Sequence, residues 1–367
     1  MKDKKKSPII FIASGQDFHA LDWFITANKV TKNREFIFIT DLIEAEGHKK
    51  ILPIDINLKQ LFVIDRFLFS VESFLGNKWR NVVKIFFIPI QIYKLKKILL
   101  NYPNSIIHAH TMYYSFLCWA VKSKYITSPQ GDEILIRPYR SNLYKFFLIQ
   151  VFKSAHKIIV DSESLKEGVY NLSKQNALIH QYGIDFNTIK NTMTNKQTRH
   201  MVSSIRGFYP LYRIESIIES REISLPDQPI TFFYPFWENQ YRIDISSKMA
   251  RFDTDLKRIK YKKGVFKILS RTLLAISVPK SDSSPRSVYE AIFCGSFIAT
   301  TYNKWIDSLP NCMKERIIII NIDNKNWFRD VVLKAKSLQN RNYIPSNEAI
   351  NMFDQERSIK KVVQSHY

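Results

Sequence analysis

The chain has 367 residues and a mass of 43.3 kDa, the size of two ordinary domains. Apolar residues make up 45% and glycine numbers only 9, which excludes wholesale disorder and glycine-rich or collagen-like classes. Lysine and arginine total 55 against 33 acidic residues, a net charge of +22, which implies a polyanionic partner: nucleic acid, an anionic membrane face or a phosphorylated substrate.

A lysine-rich start leads into a short apolar run, Pro8 to Ala13, which reads as a strand and is too short for a secretory signal. Glu35 to Thr40 is a second strand. Val82 to Tyr93 is the most apolar stretch, but it contains Lys84, Pro89 and Gln91 and falls short of the roughly 20 residues that span a bilayer. Tyr93 to Asn101 has helical spacing. Ser105 to His110 is a strand, Tyr125 to Ser128, preceded by the segment Tyr113 to Lys124, is another, Leu143 to His156 is a helix and Lys157 to Asp161 a strand. The polar run Asn187 to Arg199 reads as a linker. Beyond it the rhythm restarts: strands at Met201 to Ile205, Ile230 to Tyr234, Leu273 to Val278, Phe297 to Thr301 and Ile317 to Ile322, with helices at Tyr212 to Ser220 and Pro285 to Cys294. Such βαβ alternation predicts two α/β domains with parallel sheets, residues 1–195 and 196–367. The three cysteines, Cys118, Cys294 and Cys312, form no disulfide or zinc pattern and fit a reducing compartment.

The most informative segment is Leu273 to Thr301, LLAISVPKSDSSPRSVYEAIFCGSFIATT. It predicts a strand, a serine-rich loop, a helix and a strand. Ser284 suits the N-cap, Pro285 the first helical position and Gly295 the left-handed C-terminal position. The helix start, with Ser283, Ser284, Arg286 and Ser287, is a ready anion site. Glu290, among Val288, Tyr289, Ala291, Ile292 and Phe293, needs a hydrogen-bonding partner that sugar hydroxyls would supply.

The stretch SDSSPRSVYEAIFCGSFIAT resembles the nucleotide-sugar site of the family-4 retaining glycosyltransferases, with Asp282 in the first acidic place and Glu290 in the second. The resemblance implies a GT-B fold: two Rossmann-like domains with parallel sheets facing each other across an interdomain cleft, the first domain binding acceptor and the second donor. It further implies that Glu290 holds the donor's ribose, that Asp282 faces the transferred sugar as a catalytic group, and that Ser283, Ser284, Arg286 and Ser287 face the diphosphate. In SSIRGFYPLYRIESII, Arg206 matches the family's first basic position. The usual lysine is replaced by Leu211, and Arg213 stands two places further on. A guanidinium suits a pyrophosphate because it donates two parallel hydrogen bonds and stays charged.

SIIHAHTMYY resembles the family's first-domain strand ending in His-x-His. Alternation puts His108 and His110 on one face at the carboxyl end of a parallel strand, and His110 is the catalytic candidate. In TSPQGDEILIRP the family's frequent histidine is replaced by Gln130, leaving Gln130 and Asp132 as acceptor-side candidates. Gly15, after the first strand, is a donor-side candidate. No third ligand is spaced near the histidines, so no metal is expected, and the resemblance implies no cofactor beyond the sugar nucleotide as co-substrate.

Residues 62–100 mix Phe62, Phe67, Phe69, Phe74, Trp79, Phe86 and Phe87 with Lys78, Arg80, Lys84, Lys94, Lys96 and Lys97. This suits either a solvated, well-packed first domain or an anionic lipid surface. The resemblance favours the lipid surface and a lipid-linked saccharide acceptor, used by a cytoplasmic protein peripheral to the membrane, in cell-surface polysaccharide synthesis. The rival readings are a basic nucleic-acid-binding protein, for which no helix-turn-helix, RNP or zinc pattern is visible, and a nucleotide-sugar epimerase on the same fold.

Overall fold

Apolar β-branched and aromatic runs that are buried along their whole length, such as Ile9–Ile12 and Ile230–Tyr234, can only be central strands covered on both faces. The computed structural model describes residues 7–15, 17–31, 34–41, 57–61, 74–193, 198–257, 259 and 262–367. It divides into two units, the first comprising residues 1–182 and 355–367, the second 183–354.

In the first unit the order is β1 (Ile9–Ile12), α1 (Phe18–Val30), β2 (Phe36–Thr40), β3 (Asn57–Gln60), α2 (Phe74–Leu100), β4 (Ile106–His110), α3 (Met112–Ala120), β5 (Tyr125–Ser128), α4 (Gly131–Leu135), α5 (Asn142–Ser154), β6 (Lys157–Val160), α6 (Glu163–Ser173) and β7 (Leu178–Ile179). The seven strands are parallel, in the order β3-β2-β1-β4-β5-β6-β7. One face is covered by a core that includes Leu95 of α2, Leu117 of α3 and Phe152 of α5. The other packs Phe11 and Phe38 against Trp23 and Phe24 of α1.

The second unit runs α7 (Phe186–Thr192), β8 (Met201–Ser204), α8 (Ile214–Ser224), β9 (Ile230–Tyr234), α9 (Asn239–Lys248), β10 (Thr254–Lys257), α10 (Lys262–Leu269), β11 (Thr272–Ile276), α11 (Arg286–Phe293), β12 (Phe297–Thr300), α12 (Asn311–Lys314), β13 (Ile317–Ile319), α13 (Trp327–Ser337) and α14 (Asn347–Phe353). Its six parallel strands follow the order β10-β9-β8-β11-β12-β13. In both sheets the strand order thus reverses once, between β1 and β4 and between β8 and β11. Each reversal opens a crevice at the strands' carboxyl ends, where open α/β sheets bind ligands.

Several expectations are revised. The polar run read as a linker contains α7, capped by Asp185, whose side chain accepts from Thr188 N at 3.0 Å, and anchored by buried Ile189. The helix expected over 93–101 starts at Phe74 and continues through Pro89, which stands on an exposed side of the helix. The last helix, α15 (Gln355–His366), packs on α1 and belongs to the first unit, so the division differs from a single cut at 195/196. Phe62, Phe67 and Phe69 lie outside the described residues.

Candidate functional site

The second unit's crevice is built from three strand ends. After β8 the chain turns outward at Arg206, whose Nη2 donates to Asp282 Oδ2 at 2.7 Å and whose Nη1 donates to Ser287 Oγ at 3.1 Å. Its guanidinium lies 4.4 Å from the centre of the Tyr212 ring. Burial pulls the Arg206 pKa down, but the charge of Asp282 and the Tyr212 contact outweigh it and leave it above its ordinary value. Asp282 comes from the loop after β11, and its backbone amide donates to Asn303 Oδ1, beyond β12, at 3.2 Å. Arg206, Asp282 and Ser287 therefore form one largely buried knot across the switch point.

The knot sits at the start of α11. The helix begins one residue later than its sequence suggests: Pro285, not Ser284, is the N-cap, since its carbonyl accepts from Val288 N and Tyr289 N. Proline has no polar side chain to cap with, so the first-turn amides and the helix dipole face the loop. Ser284 Oγ instead lies 3.5 Å from the Tyr289 hydroxyl. Ser283 is half-buried in the same loop. One turn on, Arg286 Nε donates to Glu290 Oε1 at 3.2 Å, so the acid expected to take sugar hydroxyls is ion-paired within its own helix. Gly295 has φ +88°, the left-handed residue that ends α11.

Arg213 has a loop-holding place. Its Nε donates to Val278 O at 2.8 Å and its Nη2 to Pro279 O at 2.9 Å and Thr301 Oγ1 at 3.2 Å. It adopts φ 48° and fastens the segment leading to Asp282. Lys280 N donates to Leu211 O at 2.8 Å, tying the same two loops. Gly207, next to Arg206, lies under the Phe236 ring, which a Cβ would approach to 2.1 Å.

The first unit's crevice has its own cluster. Gly15 N donates to Thr40 Oγ1 at 2.8 Å, fixing the turn after β1. Asp17 caps α1 through Oδ1, which accepts from His19 N at 2.9 Å. Its Oδ2 accepts from Gln130 Nε2 at 2.9 Å and lies 3.5 Å from His110 Nδ1. Burial pushes the Asp17 carboxyl up, but the neighbouring His110 ring, with His19 and the Ala20 amide, outweighs it and holds it well below the usual carboxylate range. His110, only 1% exposed, keeps an Nε2 without a hydrogen-bond partner among the described residues. Such a buried nitrogen wants a polar ligand atom. The next residue, Thr111, has φ 79° and ψ 158°, a region that costs a non-glycine residue about 1–3 kcal/mol.

His108 shares the face of His110, and both rings contact Phe11. His108 is a structural group: Nε2 pairs with Ser128 Oγ at 2.7 Å, Nδ1 with the Tyr367 hydroxyl, and burial holds its pKa well below the usual value. Gln130 reaches the cluster through Asp17. Asp132 does not: it forms an exposed ion pair with Arg137 at 2.7 Å. Its neighbour Glu133 is buried and accepts from Gln130 N at 2.9 Å and Met112 N at 3.0 Å, bracing α3 against α4. Tyr212, Asn303 and Asp17 were not singled out from sequence; Asp17 carried the one available signal, an acid just beyond a strand-ending glycine. Among the described residues no group of three or more His, Cys, Asp or Glu side chains is arranged to hold a metal.

No family model matches the chain, and a search of curated proteins gives no match. Solved structures do. A glycosyltransferase from Rickettsia africae superposes with a TM-score of 0.72 at 11% identity, covering 99% of this chain and 100% of its own. HepE from Anabaena, solved with UDP and glucose, gives 0.70 at 12% identity, covering 98% and 99%. A UDP-N-acetylglucosamine 2-epimerase, so described provisionally, from Listeria monocytogenes gives 0.59 at 11% identity, covering 98% and 96%. Two Rossmann-type units with parallel sheets, matched over nearly their whole length by such structures, give this chain the GT-B fold.

Proposed function

We propose that the protein is a glycosyltransferase that moves a hexose-type sugar from a nucleotide-diphosphate sugar to a saccharide acceptor. The observation that carries this reading is the Arg206–Asp282–Ser287 knot at the uncapped start of α11. A stacked, ion-paired guanidinium and a helix dipole converge on one point, the arrangement that stabilises charge developing on a departing diphosphate. In the transfer, the bond from the anomeric carbon to the diphosphate breaks and one to an acceptor oxygen forms. The acceptor's hydroxyl proton passes to the departing phosphate. Glu290 takes the ribose hydroxyls by exchanging part of its bond to Arg286, and Asp282 faces the sugar. His110, with its buried open nitrogen, meets a sugar hydroxyl or phosphate oxygen.

We extend this reading to retention of anomeric configuration, chemistry without metal or cofactor, and a lipid-linked acceptor met at an anionic membrane face on the cytoplasmic side, in polysaccharide synthesis. The family resemblance around Glu290 supports these extensions. HepE's UDP and glucose support a uridine nucleotide as the first donor to try.

The test is calorimetry with UDP and GDP against uridine. Removing the guanidinium that would meet the diphosphate, Arg206→Ala should weaken diphosphate binding about 10–100-fold while leaving uridine unchanged. If no nucleoside diphosphate raises the melting temperature and oligonucleotides bind in a salt-sensitive way, the protein is a nucleic-acid binder and the reading fails. The epimerase neighbour favours one other reaction on this fold. Isomerisation of a sugar nucleotide with no acceptor present would establish it instead.

A further inference from the structure

On one face of the first unit's sheet, α3 contacts both α2 and α5. The inward sides of α2 and α5 are spent on the core: Leu95 is buried, Ile92 packs beside it, and Leu148 and Val151 are buried from α5. Their outward sides are apolar too. Phe86 (76% exposed), Ile90 and Tyr93 stand at helical spacing on α2, and Leu143 (68%) and Phe146 on α5. The charge on these two helices is of one sign. α2 and α5 together hold eight basic residues and no acidic one, in a chain with 33 acids. Every other helix of ten or more residues carries at least one Asp or Glu. Lys94, Lys96 and Lys97 are exposed beside the α2 stripe.

We infer that the outer faces of α2 and α5 form a two-helix platform that docks on an anionic phospholipid surface. Exposed aliphatic and aromatic side chains suit the boundary between headgroups and acyl chains, while ammonium groups suit lipid phosphates. A nucleic-acid backbone would pair with the lysines but leave Ile90 and Leu143 in water. Among the described residues no helix is long and apolar enough to cross a membrane, so the contact is with the surface. This deepens the membrane part of the proposed function by naming the helices that touch lipid. Its test uses no sugar nucleotide, so the two readings stand or fall separately.

The experiment is co-sedimentation of the full chain with vesicles of phosphatidylcholine alone and of an equal mixture with phosphatidylglycerol. Binding should require the anionic lipid and weaken with salt. The triple variant Lys94→Gln, Lys96→Gln, Lys97→Gln should lose affinity on the order of 100-fold. Phe86→Ser with Tyr93→Ser and Phe146→Ser should lose at least about tenfold. All six positions avoid the candidate site, and an unchanged melting curve confirms folding. No binding to the mixed vesicles, or binding that both variants retain, overturns the proposal. So does a salt-insensitive dimer that the apolar variant dissolves, which would make the face a contact between copies.

Discussion

Glu133 is buried with its carboxyl turned onto the amides of Gln130 and Met112. Burial raises its pKa to about 7, against the opposing pull of those amides and of Arg137. The folded chain therefore keeps a proton that the unfolded chain has released near pH 4.5. That contribution to stability is full below the unfolded value and is lost as pH rises through about 7. From pH 4.5 to above 7 the wild type should accordingly lose about 3 kcal/mol of stability relative to Glu133→Gln, whose amide does not titrate. Urea unfolding of both proteins across that range measures it, and a pH-independent difference would reject the raised pKa. At this scale the sequence was a partial guide. The alternation that puts His108 and His110 on one face is a geometric rule of strands, and it held. That one histidine is tied to Ser128 and Tyr367 while the other keeps an open nitrogen depends on residues far away in the chain, which spacing cannot supply.

The helix α11 carries its own end signal. Gly295 follows Cys294 at φ +88°, and an added Cβ would come within 2.4 Å of Arg199 Nη2, which donates to Cys294 O at 3.2 Å. Gly295→Ala should destabilise the second unit by about 2–3 kcal/mol, from the left-handed backbone and the displaced hydrogen bond together. Chemical denaturation checks this. Adding Arg199→Ala should cancel the clash part and leave the backbone part, a non-additive pair that a double-mutant cycle resolves. α11 was legible, to within one residue at its start, because apolar spacing and a terminating glycine agree locally. The edge strands β3 and β10 were not: NLKQ and TDLK carry no apolar run to mark them, since each edge strand has one neighbour and tolerates charge. α7 hid for a related reason. Ile189 and Phe186, which meet the core, are scattered among Asn, Thr and Lys, and only tertiary packing makes that face apolar enough to hold.

Across the whole molecule, the first unit is discontinuous in sequence. After the second unit closes, α15 returns to lay Ile359, Val362 and Val363 on Phe24 and the aromatic layer of α1. Gln355 Nε2 donates to Asp22 Oδ2 at 2.7 Å, Lys29 pairs with Glu356, and Arg34 Nη1 donates to Tyr367 O at 2.6 Å. Nothing local in QERSIKKVVQSHY distinguishes a helix that packs on its predecessor from one that returns across the chain, which is why the sequence reading assigned it to the nearer domain. Deleting residues 355–367 removes three buried aliphatic side chains, at about 1.5–3 kcal/mol each. The first unit should lose about 5 kcal/mol of stability, while the second, whose cores contain no residue of α15, keeps its own. Hydrogen exchange resolves the two units separately: amides of β1 and β4 should lose protection on truncation and those of β8 and β11 should not. UDP should still protect the loop around Asp282 in the truncated chain, because the Arg206 knot and the start of α11 lie wholly within residues 183–354. Equal loss of protection in both sheets would show that the two units fold as one and would reject this division.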